Sequence, residues 1–219
     1  MRLYWGSGSP VSWRVQLALA LKGIDYDSHR LDLANREHRG AAFKRINPNG
    51  TFPVLVDGDV VIRDSLAILA YVDRKHPRPP LFGANLPQTA AVWQMVCEHD
   101  AGIGSRANTI TQALFRDEPP GDLEPVREAV TRLGQDLEAM TRHLTDADWL
   151  VGDTPSAAEA AFYPTIHRVL RAAGKPLALE VGLAAQPLAG DPLVATWLSR
   201  VKELPGVDDT YPPHWRKGG

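Results

Sequence analysis

Between Met1 and His76 short apolar runs alternate with longer stretches of helical period. RLYW at residues 2–5 reads as a strand, PVSWRVQLALALK at residues 10–22 as a helix closed by Gly23, and IDYDSHRL at residues 24–31 as a second strand. A weakly patterned helix is expected from Arg36 to Arg45. In VLVDGDVVI, residues 54–62, Asp57-Gly58 stands between two apolar runs, the strongest short-range signal for a β-hairpin. RDSLAILAYVDRKH at residues 63–76 then reads as a capped helix. A βαβ start followed by a hairpin predicts a mixed sheet in a compact α/β domain, and the inventory matches a thioredoxin-like domain.

HPRPPLFGANLP, residues 76–87, is too dense in proline and glycine to continue a helix and reads as a linker. Strand signals then disappear. Gln88 to Leu144 carries two long helical patterns broken at DEPPGD, and shorter helices start near Ser156 and Pro192. The expected organisation is an α/β domain over residues 1–80, a linker over 81–87 and an all-helical domain over 88–219. The tail YPPHWRKGG is too rich in proline and glycine for a regular element.

Composition narrows the function classes. A chain of 219 residues, 44% hydrophobic, can bury the core of one large or two small domains. With 24 basic and 26 acidic residues there is no broad electrostatic footprint for nucleic acid or an anionic membrane. No apolar run approaches the roughly 20 residues that span a bilayer, and the first residues lack signal-peptide order, so a cytoplasmic protein is expected. The single cysteine, Cys97, excludes an internal disulfide, a cysteine metal cluster and a CxxC redox pair. On a helical stretch it reads as a small core residue, and no metal is expected.

The candidate chemistry lies in GSGSPVSWR, residues 6–14. Ser9 directly before Pro10 is helix-start chemistry, with serine as N-cap and proline in the first turn, where no amide donor is needed. A capping hydroxyl accepts from a backbone N–H but keeps its own proton to donate outward. The helix N-terminus adds a partial positive charge of about half a unit, which favours a thiolate or oxyanion placed there. A covalent serine nucleophile would need a base, and neither a GxSxG elbow nor a nearby histidine supplies one. Ser12 reads as structural, and Ser7 sits in a glycine-flanked loop.

S-P-x-S-W-R-V after the first strand, N-P-N-G-T-F-P-V-L at the third and D-S-L-A-I at the following helix resemble the cytosolic glutathione transferases. In the second half G-D-T-P-S-A-A-E-A-A-F-Y-P is similar to that family's helix-capping signature, with Ser156 and Glu159 spaced as a capping box and Glu159 where members usually carry Asp. The serine-type opening and ALALKGIDY are closest to the zeta, theta and delta groups.

The resemblance implies a thioredoxin-like domain plus an all-α domain, with glutathione as co-substrate. It further implies that Ser9 activates the sulfur, and that a cis Pro53 turns the backbone of Phe52 toward the cysteinyl part. Ser65 and Asp64 then receive the γ-glutamyl carboxylate and ammonium. Members often hold the glycyl carboxylate from near Gly50, where this chain has no side chain; His38, with Arg39 and Lys44, is the expected substitute. Arg171 and Val11 are the expected electrophile contacts, Arg171 for a carboxylate. The zeta group's isomerase motif has serine and cysteine where this chain has Pro10 and Val11. The implied partners are glutathione, a small electrophile and a second copy of the chain. The helix beginning at Asp64 and the helix carrying Trp93 and Cys97 would form the dimer contact. Alternatives are a glutathione-dependent isomerase of the maleylacetoacetate type or a dehalogenase using the same thiolate, and a non-enzymatic glutathione-binding module.

Overall fold

The computed structural model describes residues 1–183 and 190–216. They group into two units, Met1–Phe82 with the C-terminal segment from Glu203, and Gly83–Lys202.

In the first unit β1 (Arg2–Trp5), α1 (Pro10–Leu21) and β2 (Asp27–Arg30) form the βαβ start, and β3 (Val54–Asp57) and β4 (Val60–Ile62) form the hairpin. The sheet order is β2-β1-β3-β4, with β1 and β2 parallel and the other pairs antiparallel. The hairpin loop is Gly58-Asp59, because Asp57 pairs with Val60. It sits one residue further on than the expected Asp57-Gly58. Tyr4 stands opposite Val54, and both pack with Leu31 of the loop after β2 and Phe43 of α2 (Ala41–Ile46). Leu3 and Leu55, opposite each other and fully buried, lie on the other face of the sheet. α1 and α3 (Ser65–Lys75) pack against one another and bury Val15, Ile68, Leu69 and Val72.

The expected helix from Arg36 to Arg45 is instead a 3₁₀ turn, Glu37–Arg39, and the short α2, separated by Gly40 in an extended conformation. The boundary between the two units, after Phe82, falls inside the proline-rich segment, whose earlier part packs into the first unit. Leu81 and Phe82 are buried in the first unit. Lys22 Nζ donates to Asp73 Oδ1 at 2.7 Å and to the Pro79 carbonyl, and Asp73 Oδ1 also accepts from the Leu81 amide at 2.8 Å. Here a buried, paired lysine holds the chain where composition suggested a free connection.

The C-terminal segment belongs with the first unit, not with the helices before it. It forms a 3₁₀ turn at Asp208–Thr210 and a second at Pro213–Trp215, the latter inside the tail where proline and glycine content suggested no element; Lys217 to Gly219 of the tail lie outside the described residues. Trp13 Nε1 donates to Thr210 Oγ1 at 2.7 Å, and the Trp13 ring meets Tyr211 and Trp215 edge-on at 5.4 and 5.7 Å.

The second unit is helical: α4 (Leu86–Ala101), α5 (Ile103–Leu114), α6 (Glu124–His143), α7 (Ala157–Ala173), α8 (Pro176–Glu180) and α9 (Pro192–Lys202). The first long pattern after residue 88 is broken at Gly102, whose φ and ψ of −103° and −100° leave the helix. α7 is the most deeply buried helix, started by the expected capping box: Ser156 Oγ accepts from the Ala158 amide and Glu159 Oε2 from the Ser156 amide. Cys97 is exposed, which corrects its reading as a core residue.

Candidate active site

The loop between β1 and α1 is organised by two serines with different duties. Ser9 is the N-cap of α1, its Oγ accepting from the Ser12 amide at 3.4 Å while its carbonyl accepts from the Trp13 amide at 2.9 Å. It is half-buried, and the hydroxyl proton stays available for a ligand. Ser12 is fully buried, and its Oγ accepts from the Gly6 amide at 3.2 Å, pinning the loop to the helix. The loop presses on Phe52: a Cβ at Gly6 would come within 2.3 Å of Phe52 Cε2, so only glycine allows this approach. The Phe52-Pro53 peptide is cis.

At the start of α3, Asp64 is the cap, its Oδ1 accepting from the Leu66 and Ala67 amides at 2.9 and 3.0 Å. Its carbonyl takes the Ile68 amide at 2.9 Å. Ser65, 6% exposed, begins the helix, and Arg14 Nη1 donates to its Oγ at 3.4 Å. Arg14 is 2% exposed on α1, so a buried guanidinium stands behind a helix N-terminus and adds positive character there. Sequence reasoning passed over Arg14. Its signal was a charge inside the apolar run VSWRVQLALAL.

His38 packs edge-on against Phe52 with ring centroids 5.6 Å apart, and its Nδ1 is buried without a hydrogen-bond partner. Burial, followed by the charges of Arg39 and Arg36, holds the imidazole below its ordinary pKa. Gly50 has φ +62°, and a Cβ there would come within 2.7 Å of the His38 carbonyl oxygen. The missing side chain at Gly50 is thus dictated by the backbone. Arg39 lies beside it, its Nη1 donating to the Asn49 carbonyl at 3.4 Å, while Lys44 is exposed. Ser9, Phe52, His38, Asp64 and Ser65 all belong to the first unit.

The two expected electrophile contacts fall in different units. Val11 is 39% exposed in the first turn of α1. Arg171 is half-buried in the last turn of α7. On that helix Phe162, Ile166 and Val169 are buried with Ala172. Arg168, unremarked in the sequence, lies 5.9 Å over the Phe115 ring, and burial lowers its pKa. The helical unit also holds a cavity of about 410 Å³ lined by Met95, His99, Ile103, Phe162 and the Arg106–Asp136 ion pair. Arg171 is not among its lining residues.

Family models match both halves of the chain: the glutathione S-transferase N-terminal domain over residues 8–75 and the C-terminal domain over residues 124–200. Among curated proteins, "Glutathione S-transferase Z2" of Arabidopsis thaliana is 32% identical over 218 residues, 95% of this chain and 88% of that protein. "Maleylacetoacetate isomerase" of Pseudomonas aeruginosa is 32% identical over 175 residues, 78% of this chain and 82% of that protein. Among solved structures, a glutathione S-transferase from the Antarctic clam Laternula elliptica is 27% identical, with a TM-score of 0.82 over 99% of this chain and 94% of that one.

Proposed function

This chain belongs to the glutathione S-transferase family, and from that premise we propose that it ionises the thiol of glutathione through Ser9 for attack on a small electrophile. The observation that carries this is the Ser9 hydroxyl, engaged among the described residues as a capping acceptor at the N-terminus of α1. A free thiol with a pKa of about 8.5 is only a few per cent ionised at neutral pH. A hydroxyl donor combined with a helix N-terminus stabilises the thiolate and raises that fraction. The thiol proton leaves to solvent, and the sulfur then forms a bond to the electrophilic carbon as that carbon's bond to its leaving group, or the π bond of an activated alkene, breaks.

The other residues bind. The backbone of Phe52 pairs with the cysteinyl part like an added strand. The γ-glutamyl carboxylate sits at the start of α3, on the Ser65 amide and hydroxyl, with Arg14 behind it. Asp64 Oδ2, unused by the cap, takes the ammonium group. His38 Nδ1 and the Arg39 guanidinium serve the glycyl carboxylate, since Gly50 has no side chain to offer. Val11, exposed in the first turn of α1, contacts the electrophile. Family membership supports a homodimer that works in the cytoplasm.

The relative named as a maleylacetoacetate isomerase favours a second reading with the same thiolate. Addition of sulfur to a cis carbon–carbon double bond permits rotation, and expulsion of the sulfur returns the trans isomer and the thiolate. Turnover of a cis-dienoic acid separates this from conjugation. A panel of electrophiles assayed with wild type and Ser9→Ala tests the main reading. Conjugation should fall at least tenfold, about 1.4 kcal/mol of transition-state stabilisation, in a folded protein that loses about 1 kcal/mol of stability with its cap. Full activity in Ser9→Ala with loss in Ser12→Ala would overturn the assignment.

A further inference from the structure

Ser7 and Gly8, the two residues before Ser9, are clamped from outside by the far end of the chain. Ser7 Oγ and His214 Nδ1 are 2.7 Å apart, in a hydrogen bond that spans 207 residues of sequence. A Cβ at Gly8 would lie 2.9 Å from His214 Cε1, 3.2 Å from His214 Nε2 and 3.4 Å from Trp215 Cζ2, so both rings lie against the Gly8 backbone. His214 is itself held: it lies in the 3₁₀ turn Pro213–Trp215, whose Trp215 is buried and meets Trp13 and Tyr211 edge-on at 5.7 and 5.8 Å. The Trp13–Thr210 hydrogen bond fastens the preceding turn to α1.

We propose that His214 is a positioning residue for the thiolate site, holding the loop 6–8 so that the Ser9 hydroxyl points at the glutathione sulfur. The inference rests on the Ser9 reading above. The loop needs such a tie because Ser7 is flanked by Gly6 and Gly8, the residue type with the most backbone freedom to lose. Gly6 is fixed by Ser12 and Phe52 from within. Ser7 and Gly8 are fixed by His214 and Trp215 from without. Hydrogen-bond strength falls steeply with angle, so freeing the two residues next to Ser9 lowers the share of time its hydroxyl is aimed, even with α1 intact. The γ-glutamyl contacts at α3 are far along the chain from this tie and stay unchanged.

The test titrates the thiol of bound glutathione by the ultraviolet absorbance of its thiolate, alongside steady-state kinetics, in the full chain. His214→Ala should raise the apparent thiol pKa by about half a unit to one unit, a three- to tenfold loss of thiolate near neutral pH, and lower kcat in proportion. The KM for glutathione should stay within about twofold. His214→Asn should restore the titration, because its amide offers a donor and an acceptor near the place of Nδ1. Ser7→Ala should shift the thiol as His214→Ala does, with no further shift in the double variant. An unchanged thiol titration in His214→Ala overturns the proposal. So do equal losses in the Ala and Asn variants accompanied by lowered thermal stability, which mark a purely structural tail. Ser9→Ala run in parallel separates the two claims. If it leaves the thiol pKa unmoved, the Ser9 reading falls and takes this inference with it; if it raises the pKa while the His214 variants do not, the inference about His214 alone fails.

Discussion

Ser65 and Arg14 illustrate how a proposed binding position is assembled from residues far apart in the chain. Ser65 is visible in the sequence as helix-start chemistry, since capping depends on neighbours within three residues. Arg14 is 51 residues away, and no local pattern joins it to Ser65. If the hydroxyl meets the γ-glutamyl group as proposed, a group that does not react, Ser65→Ala should raise the glutathione KM several-fold and leave kcat within about twofold, the mark of uniform binding. Calorimetry giving wild-type glutathione affinity for the variant would remove Ser65 from the site. Cys97 shows the opposite case. A cysteine on a helix is usually buried, but which face a helix buries is decided by its neighbours, and Cys97 faces outward.

At the scale of elements, α7 was the most legible helix and also carries a hidden titration. Its start is announced by Ser156 and Glu159, three residues apart, and both halves of the capping box form. His167, midway along it and 4.4 Å from the Tyr163 ring, has its pKa lowered to about 4, by burial first and then by the charge of Lys202. The folded protein therefore refuses a proton that the unfolded chain accepts. Its contribution to stability is complete above the unfolded value of 6.5 and is lost as pH falls toward 4, by a few kcal/mol at most. Thermal melts at pH 7 and pH 4.5 should show a smaller acid loss for His167→Gln than for wild type; equal losses would place the acid sensitivity elsewhere. Other elements were less legible. The Arg36 to Arg45 segment mixes charges without a clear period, and Gly40 divides it. The break at Gly102 was hidden because an isolated glycine is often tolerated inside a helical pattern.

For the whole molecule the proposed homodimer is carried by family membership, with α3 and α4 as the expected contact. Light scattering across a range of concentrations should give twice the chain mass, and a concentration-independent monomer would refute it. The α/β-then-helical order, the hairpin, the caps at Ser9 and Ser156 and a capped helix start at Asp64-Ser65 were all determined by the sequence itself. Each depends on periodicity or on hydrogen bonds between residues a few positions apart, and such chemistry is written locally. Only the tertiary structure decided the rest. It set Arg14 behind Ser65, closed the proline-rich segment against Lys22 and Asp73, and returned the C-terminal segment to the first unit with His214 on Ser7. Those contacts join residues 51 to 207 positions apart or bury groups that composition marks as exposed. Chain proximity and residue type carry no information about them; only the packing of α1 against its neighbours does.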